Sequence, residues 1–513
     1  MIFRIFAALT ALVLSSAPAL AQEAGLDATI NQIFADYTGW YVALIFADLP
    51  GTNFSWIALW LVVAALIFTF YFGFIQLKGF VHSIRLVRGD YSDPNDAGEV
   101  SHFQALATAL SGTVGLGNIA GVAVAVSIGG PGATFWMIIA GLFGMATKFT
   151  ECTLGVKYRN EYPDGTVSGG PMYYMTKGFR ERGLPGGGAF AILFCIFTIL
   201  GALGGGNMFQ ANQAHAQLAG VLGDYPGWIT GVLLAGVVFA VIVGGLRSIA
   251  RVTEKVVPFM GIFYVIVSII ILIVNYDEIL WAFGRILEGA FTGLGVLGGF
   301  TGALIQGFRR AAFSNEAGIG SAAIAHSAVR TKEPVTEGYV ALLEPFIDTV
   351  VICTMTALVI VITGVLNVDP ETGLYVWNAE LGRIATEGDV TGVELTSAAY
   401  AQVLPWFPVL LAIAVVLFAF STMLSWSYYG LKAWTYIFGE GKVKEVIFKV
   451  IFCFFIIIGS AASLGPVIDF SDAMLFSMAV VNVIALYLLM PIVRGELDSY
   501  VRRLRSGEIK KYV

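Results

Sequence analysis

The chain has 513 residues, of which 57% are hydrophobic and 12% are charged, and its formal net charge at pH 7 is -6. Soluble globular proteins carry about 25% charged residues, so this composition indicates an all-α polytopic membrane protein. Outside the C-terminal tail there is no dense basic stretch, which does not favour nucleic-acid binding. The four cysteines lie in or beside apolar stretches, which predicts buried thiols rather than disulfides or a cysteine metal site.

Residues 1–21 have the pattern of a secretory signal peptide. Arg4 precedes an apolar run from Ile5 to Leu14, and the small residues Ala19 and Ala21 come just before Gln22. An uncleaved anchor helix is the alternative. If cleavage occurs, residues 22–54 form an outer segment and the mature chain begins outside.

Apolar runs of about 20 residues, long enough to cross roughly 30 Å of hydrocarbon, predict about eleven transmembrane helices. They cover residues 55–76, 103–128, 132–156, 188–215, 226–246, 253–275, 297–327, 338–366, 402–437, 444–464 and 469–492. Lys and Arg collect in alternate loops and in the tail, whereas the opposite loops are mainly acidic. The positive-inside rule therefore predicts a cytoplasmic C-terminus in a bacterial inner (plasma) membrane.

The spans divide into one peripheral helix, 55–76, and two sets of five, at residues 103–275 and 297–492. Because five is odd, the second set must run with the opposite topology to the first. Such an inverted repeat is common among secondary transporters. Residues 493–513 are predicted to be a basic cytoplasmic tail.

A glycine tetrad interrupts the first helix of each set: Gly115-Leu116-Gly117-Asn118 and Gly318-Ile319-Gly320-Ser321. Non-helical backbone survives at membrane depth only where it is packed in protein or lines a cavity. The freed amides suit a carboxylate and the freed carbonyls suit a cation. Helix packing through small residues is the alternative, but two matched breaks favour a transporter site. Candidate substrate contacts here are Thr113, Gly117, Asn118 and Gly318.

The second break also contains a carboxylate, Glu316, and an ionisable group at this depth is a functional hypothesis by default. Arg309 and Arg310, one or two turns earlier, are its expected partners. Glu316 and Arg309 are therefore candidates for gating or coupling. A structural ion pair, or a helix end nearer the interface, is the alternative.

Span nine carries three hydroxyls within one turn, at Ser421, Thr422 and Ser425. Thr422 and Trp426 are four residues apart and share a face of the helix. Hard cations prefer oxygen ligands, so these hydroxyls and freed carbonyls of a broken helix would suit sodium. The alternative is that the hydroxyls bond back to their own helix.

Seven ordered motifs run along the chain: Phe103-Gln104-Ala105-Leu106-Ala107-Thr108-Ala109-Leu110, Gly117-Asn118-Ile119-Ala120-Gly121, Gly129-Gly130-Pro131-Gly132-Ala133, Gly169-Gly170-Pro171-Met172-Tyr173-Tyr174, Arg251-Val252-Thr253-Glu254-Lys255, Phe313-Ser314-Asn315-Glu316-Ala317-Gly318 and Phe346-Ile347-Asp348-Thr349. In these motifs the sequence resembles the alanine/glycine:cation symporter family, also called sodium:alanine symporters. The resemblance covers roughly residues 55–495.

The resemblance implies a leucine-transporter type of five-plus-five fold, with broken second and seventh helices, and sodium-driven import of a small neutral amino acid, alanine or glycine. It also implies that Gln210, Phe313, Thr422 and Trp426 line the amino-acid pocket, although Gln210 could instead join helices as a buried amide. A sodium site would lie between the first break and span nine, at Gly112, Gly115, Ser421 and Thr422. The expected partners are the amino acid, sodium and the lipid bilayer, with no organic cofactor.

Two positions depart from the family pattern. Family members often have Thr where Leu116 stands and Pro where Ala323 stands. The loss of a polar side chain at the first break puts the identity of the amino acid in question, because only backbone ligands remain at Leu116.

Other functions remain as alternatives. Glu344 and Asp348, four residues apart on span eight, would suit a proton relay and hence a proton-coupled transporter, but the same face could meet a basic residue. Lys148 and Glu151 form a similar pair on span three. An ion channel could use the glycine-rich backbone but would need repeated filter loops. A membrane enzyme is not favoured, because the chain has no metal-binding histidine spacing, catalytic triad order or Walker loop.

Overall fold

The structure is a computed structural model that describes residues 38–512, apart from 52–53, 94–95, 164, 293–298, 370, 372–374, 379, 381–382 and 387–389. The predicted signal peptide and most of the outer segment 22–54 lie outside the described residues. From residue 38 onward the chain is mainly helical, as its composition predicts.

Residues 38–45 are helical, and the helices that follow are named here in chain order. They are α1 (Trp56–Tyr71), α2 (Ile75–Val87), α3 (His102–Thr113), α4 (Gly117–Gly129), α5 (Gly132–Lys157), α6 (Pro171–Glu181), α7 (Gly187–Leu222), α8 (Gly227–Ile242), α9 (Gly245–Val274), α10 (Ile279–Thr292), α11 (Gly299–Asn315), α12 (Ser321–His326), α13 (Pro334–Ile362), α14 (Val393–Val403), α15 (Phe407–Phe438), α16 (Lys442–Ala461) and α17 (Leu464–Arg505).

Three of these helices contain a wider π turn, at Gly117–Gly121 in α4, Gly204–Met208 in α7 and Phe346–Cys353 in α13. A 3-10 turn, Tyr276–Glu278, precedes α10. Two short antiparallel hairpins lie in loops: β1 (Asn160–Glu161) pairs with β2 (Val167–Ser168), and β3 (Trp377–Asn378) pairs with β4 (Arg383–Ile384).

Six helices of the described chain are long and apolar enough to cross a membrane, or up to eight if each of two bent pairs counts as one span. The bent pairs are α1 with α2, at 76°, and α3 with α4, at 51°. Helix α8 is apolar but shorter, α16 begins with charged residues, and a break divides α11 from α12. The structure therefore shows a multi-pass helical protein, while the count of eleven spans stays a prediction.

Both glycine tetrads lie where helices end, but the backbone turns differently at each. At the first, α3 ends at Thr113 and α4 begins at Gly117 without a left-handed residue. At the second, between α11 and α12, Glu316, Gly318 and Gly320 have φ values of 57°, 88° and 91°. Glycine adopts such angles freely, whereas at Glu316 they are strained, and strain of this kind clusters at functional sites.

The core is built around α5 and α15, which position the two breaks. Helix α5 packs against α1, α10, α11, α12 and α13, and α15 packs against α3, α7 and α9. Small residues permit the close approach, as where a Cβ at Gly307 of α11 would lie 2.5 Å from Cβ of Trp136. Helix α17 continues to Arg505 and so includes the beginning of the predicted tail.

Candidate functional site

The two helix breaks lie against each other at the centre of the bundle. A Cβ at Gly117, in the first break, would lie 3.3 Å from Cα of Ser314 and 3.5 Å from Cδ1 of Phe313, just before the second. The Phe313 ring packs edge-on against Phe209 of α7, with 5.1 Å between ring centroids. Residues from both breaks and from α7 therefore meet at one place.

Helix α7 contributes Gln210, whose amide joins the first break to the π turn. Its Oε1 accepts a hydrogen bond from the Leu116 amide at 3.2 Å, and its Nε2 donates to the Gly205 carbonyl at 2.9 Å. Gln210 is buried, with 3% of its surface exposed. It satisfies an amide that the helix break frees. The Gln210 amide therefore lies at the predicted pocket and also joins α7 to the first break.

Helix α15 brings Thr422 and Trp426 to the same centre. A Cβ at Gly115 would lie 2.3 Å from Thr422 Oγ1, so only glycine permits this approach. The Thr422 hydroxyl is buried and has no hydrogen-bond partner among the described residues. Unsatisfied buried polar groups are rare and call for an explanation such as a ligand.

The Trp426 ring lies against the π turn of α7, where a Cβ at Gly206 would lie 2.2 Å from its Cγ. Its Nε1 donates to Glu316 Oε1 at 2.9 Å. Ser321 Oγ donates to the other oxygen of Glu316. The carboxylate of the second break therefore holds a wall residue of the predicted pocket.

The predicted pairing of Glu316 with Arg309 and Arg310 is wrong. Both arginines instead pair with Asp472 of α17, Arg309 Nε at 2.9 Å from Oδ2. The reason is geometric: the arginines lie on α11 facing α17, whereas the left-handed turn at Glu316 directs its carboxylate towards Ser321 and Trp426. The guanidinium of Arg310 also lies over the Phe313 ring, 5.2 Å from its centroid.

Replacing Asp472 by Asn is expected to destabilise the folded protein by about 3–5 kcal/mol, because Arg310 would be left as a buried charge without its partner. Arg310 and Asp472 are 2% and 0% exposed. Thermal unfolding of the purified protein measures the loss. The matched control is Asp469→Asn, since Asp469 is 53% exposed and 3.6 Å from Arg309, and exposed pairs contribute about 1 kcal/mol or less. Equal effects of the two changes would contradict the interpretation.

Asp348 of α13 joins both breaks. Its Oδ1 accepts from Asn118 Nδ2 at 2.7 Å, and its Oδ2 accepts from Ser314 Oγ at 2.8 Å and Thr349 Oγ1 at 2.7 Å. Its own backbone carbonyl also accepts from Asn118 Nδ2, at 3.0 Å. Asp348 is fully buried. These donors are all neutral, so the carboxylate negative charge is solvated by dipoles rather than by a cation of the protein.

Glu344, considered with Asp348 as a relay, meets a basic residue instead. Lys148 Nζ donates to its Oε1 at 2.9 Å and lies 3.7 Å from Glu151. The alternative of an ion pair on this face is therefore what the structure shows for Glu344 and Lys148. Asp348, in contrast, lies at the breaks.

The remaining predicted residues are less closely associated with this centre. Thr113 Oγ1 donates to Ala109 O at 3.3 Å in its own helix, and Gly318 faces Val483 and Thr147. Gly112 faces the Tyr429 ring, and Ser421 Oγ donates to Phe418 O at 3.0 Å. The alternative that the span-nine hydroxyls bond back to their own helix thus applies to Ser421 but not to Thr422.

Sequence reasoning missed two features of this site. The central position of Asp348 could not be read from its spacing to Glu344, although Asp348 lies in one of the family motifs. The π turn of α7 had a visible signal in the run Gly204-Gly205-Gly206, of which Gly206 admits Trp426. Runs of small residues inside an apolar span mark such close approaches.

The fold and the site define a class: a multi-pass membrane transporter whose two broken helices meet at a buried polar centre. The chain belongs to the sodium:alanine symporter family, whose model matches residues 42–513. The resemblance seen in the sequence is thereby confirmed. The protein is accordingly an amino-acid symporter and not an enzyme.

Relatives agree with this assignment, and a solved structure shares the fold. The chain is 39% identical to the sodium/alanine symporter AgcS of Methanococcus maripaludis, over 85% of this chain and 92% of that protein. It is 32% identical to the probable sodium/glutamine symporter GlnT of Bacillus subtilis, over 86% and 87% of the two chains. The crystal structure of MhsT in complex with L-phenylalanine has the same fold, with a TM-score of 0.51, 14% identity and coverage of 77% of this chain and 89% of that one.

Proposed function

We propose that this protein imports a small neutral amino acid, alanine or glycine, together with sodium by alternating access. Membership in the sodium:alanine symporter family and similarity to the sodium/alanine symporter AgcS support the cargo and the ion. The proposal includes the inverted repeat of residues 103–275 and 297–492, the peripheral helix 55–76 and a cytoplasmic C-terminus in the inner membrane. It also includes a signal peptide at residues 1–21.

The single observation that carries the sodium proposal is the buried Asp348 carboxylate at the junction of the breaks. A carboxylate without a cation is costly in a buried setting. Sodium bound beside Asp348 would offset that charge, with oxygen ligands from Asp348, Ser314 and the Asn118 side chain, as hard cations prefer. The hydroxyl groups of Ser314 and Thr349, which donate to Asp348, can rotate away from the carboxylate when the ion binds.

Of the predicted sodium site at Gly112, Gly115, Ser421 and Thr422, we propose only the Thr422 side chain as an oxygen ligand. Thr422 Oγ1 lies against the backbone of the first break and has no partner among the described residues. Its oxygen is therefore available to an ion or to the substrate. Ser421 and Gly112 take part through packing, since Ser421 bonds to its own helix.

We place the amino acid between the two breaks, in a pocket lined by Gln210, Phe313, Thr422 and Trp426. Freed amides at Gly117 would receive its carboxylate. The rings of Phe313 and Trp426 leave room only for a small side chain, because Gly117 and Gly206 already bring the surrounding backbone into contact with them. Glu316 would act as a coupling residue by holding Trp426, and Arg309 would act with Asp472 in gating.

The experiment is uptake of labelled alanine into proteoliposomes that contain the purified full chain. Uptake against a gradient is expected with external sodium and not with potassium, and empty liposomes are the control. Unlabelled glycine and serine should compete, whereas leucine and glutamine should not. Uptake that is the same in potassium contradicts sodium coupling, and competition by glutamine contradicts the small pocket.

Proton coupling is a second candidate, since a proton on Asp348 would remove the same buried charge. The two candidates differ in one measurement. Alanine accumulation driven by an inward pH gradient in sodium-free buffer would support proton coupling, and its absence there would support sodium.

A further inference from the structure

The two broken helices are joined at the end of the molecule where α3 begins and α12 ends. There the Glu99 amide donates to Ala328 O at 2.8 Å, and the Arg330 amide donates to Val100 O at 2.9 Å. The Arg159 guanidinium donates to Val329 O at 2.6 Å and to three further carbonyls, of Ala97, Ser327 and Thr331. We call residues 97–102 and 326–331 the closed end.

A single carboxylate, Glu337 of α13, ties the closed end together. His102 Nδ1, at the start of α3, contacts its Oε1, and His326 Nδ1, at the end of α12, lies 2.5 Å from its Oε2. The relative exposures of His102, Glu337 and His326 are 3%, 0% and 0%. The contact links the ends of two separate helices to a third, so it must break if those ends move apart.

The other nitrogen of His326 also faces a carboxylate. His326 Nε2 lies 3.8 Å from Glu344 Oε2, and neither atom has a hydrogen-bond partner among the described residues. In a neutral imidazole with a proton on Nδ1, Nε2 is an acceptor and repels a carboxylate. A second proton would turn Nε2 into a donor aimed at Glu344.

The charges around His326 favour an additional proton. Three buried carboxylates, Glu337, Glu344 and Glu151, surround a single buried lysine, Lys148. With neutral imidazoles and all three carboxylates ionised, this group would carry two excess negative charges, a costly arrangement. The titratable groups nearest His326 and its carboxylates are His102 of α3, Lys148, Glu151 and Cys152 of α5, Tyr174 of α6, Glu337 and Glu344 of α13, Tyr429 of α15, and Glu316 of the break. The Arg159 guanidinium adds a positive charge next to His326, where it donates to Ser327 O.

We propose that His326 is a proton-binding site that locks the closed end. The protonated imidazole donates to Glu337 and Glu344 at once and so holds α12 against α13, while His102 holds α3 to the same carboxylate. Opening exposes the site and releases the proton. The cytoplasmic location of this end, and hence control of substrate release by internal pH, rest on the proposed function; the lock itself does not.

Linkage fixes the sign of the effect. The closed end binds the proton and the open end does not, so closure is favoured at low pH and is lost as the pH rises. One proton changes the ratio of closed to open molecules by up to about tenfold per pH unit. Histidine is the side chain whose charge ordinarily changes between about pH 5 and pH 8.

The test is cysteine labelling of the purified full chain, which requires neither substrate nor sodium. Ser327→Cys places a thiol in the closed end, where Ser327 is 1% exposed, and Lys332→Cys places one at a position whose side chain is 70% exposed. The ratio of their labelling rates by a methanethiosulfonate reagent removes the pH dependence that the two thiols share. The unsubstituted chain corrects for its own cysteines. The ratio is expected to rise severalfold between pH 6 and pH 9.

Histidine variants assign the effect to His326. His326→Gln keeps a donor towards Glu337 but cannot gain a charge, so the ratio should become independent of pH. His82→Gln and His215→Gln, the two histidines outside the closed end, should retain the wild-type profile. A pH-independent labelling ratio in the protein that keeps all its histidines contradicts the proposal, even if His326→Gln does not fold. A wild-type pH profile in His326→Gln also contradicts it. Loss of alanine uptake with an intact labelling profile would contradict the proposed function alone.

Discussion

Replacing Asp348 by Asn is expected to raise the sodium concentration for half-maximal alanine uptake at least tenfold, or to abolish uptake. The substitution keeps the size of the side chain but removes the charge that would hold the ion at the break junction, and it replaces one of the two accepting oxygens by an amide donor. Initial uptake rates at graded sodium concentrations, with alanine saturating, measure the effect.

The matched control is Asp277→Asn, the same substitution at an exposed residue of the 3-10 turn before α10. It should leave the sodium dependence within a factor of two, because an exposed charge far from the ion is screened by solvent. An Asp348→Asn protein that folds and shows the wild-type sodium dependence would remove Asp348 from the ion site. Gel filtration and thermal unfolding distinguish that result from misfolding.

Adding one methyl group at Gly115 is expected to reduce alanine uptake more than tenfold. The Cβ of Gly115→Ala would lie 2.3 Å from Thr422 Oγ1 and 3.3 Å from Gln210 Oε1, so α15 must move away from the first break or Thr422 must turn. Either movement alters the proposed pocket. Overpacking of this kind typically costs about 1–3 kcal/mol. Alanine uptake and binding of alanine by the purified protein measure the two consequences.

Two further variants distinguish the clash between residues 115 and 422 from a general effect of placing an alanine residue in this helix. Gly121→Ala lies in the same broken helix, where the nearest atom to a new Cβ is Leu116 O at 4.0 Å, and it should transport normally. The double variant Gly115→Ala with Thr422→Ala removes the clashing oxygen and leaves a 3.4 Å contact to Cβ of residue 422. Its stability should return towards that of Thr422→Ala alone. No recovery would show that the Gly115 effect does not act through Thr422.

Hydropathy located most helices because an apolar segment in a bilayer must satisfy its backbone within itself. Helix α5 (Gly132–Lys157), for example, coincides with the predicted span 132–156. Segment ends were less predictable, as at α17, where polar residues beyond 492 continue the helix to Arg505. The bend between α1 and α2 also lay within a run that hydropathy treats as one span.

Side-chain pairing was the least predictable property of the site. Arg309, Arg310 and Glu316 are close in sequence, yet the arginines pair with Asp472 of α17 and the glutamate bonds to Trp426 of α15. A left-handed turn at Glu316 redirects its side chain, and no local pattern reveals such a φ angle at a residue other than glycine.

The glycine tetrads show how far the sequence alone determines this protein. Sequence determined that two helices are interrupted, because glycine in paired apolar spans is readily seen, and its ordered motifs determined the family. Only the tertiary structure decided why each glycine is needed: left-handed turns at Gly318 and Gly320, but the approach of Thr422 at Gly115. It also decided that Asp348 lies between the breaks. These facts depend on contacts between residues far apart in the chain, which hydropathy and spacing do not encode.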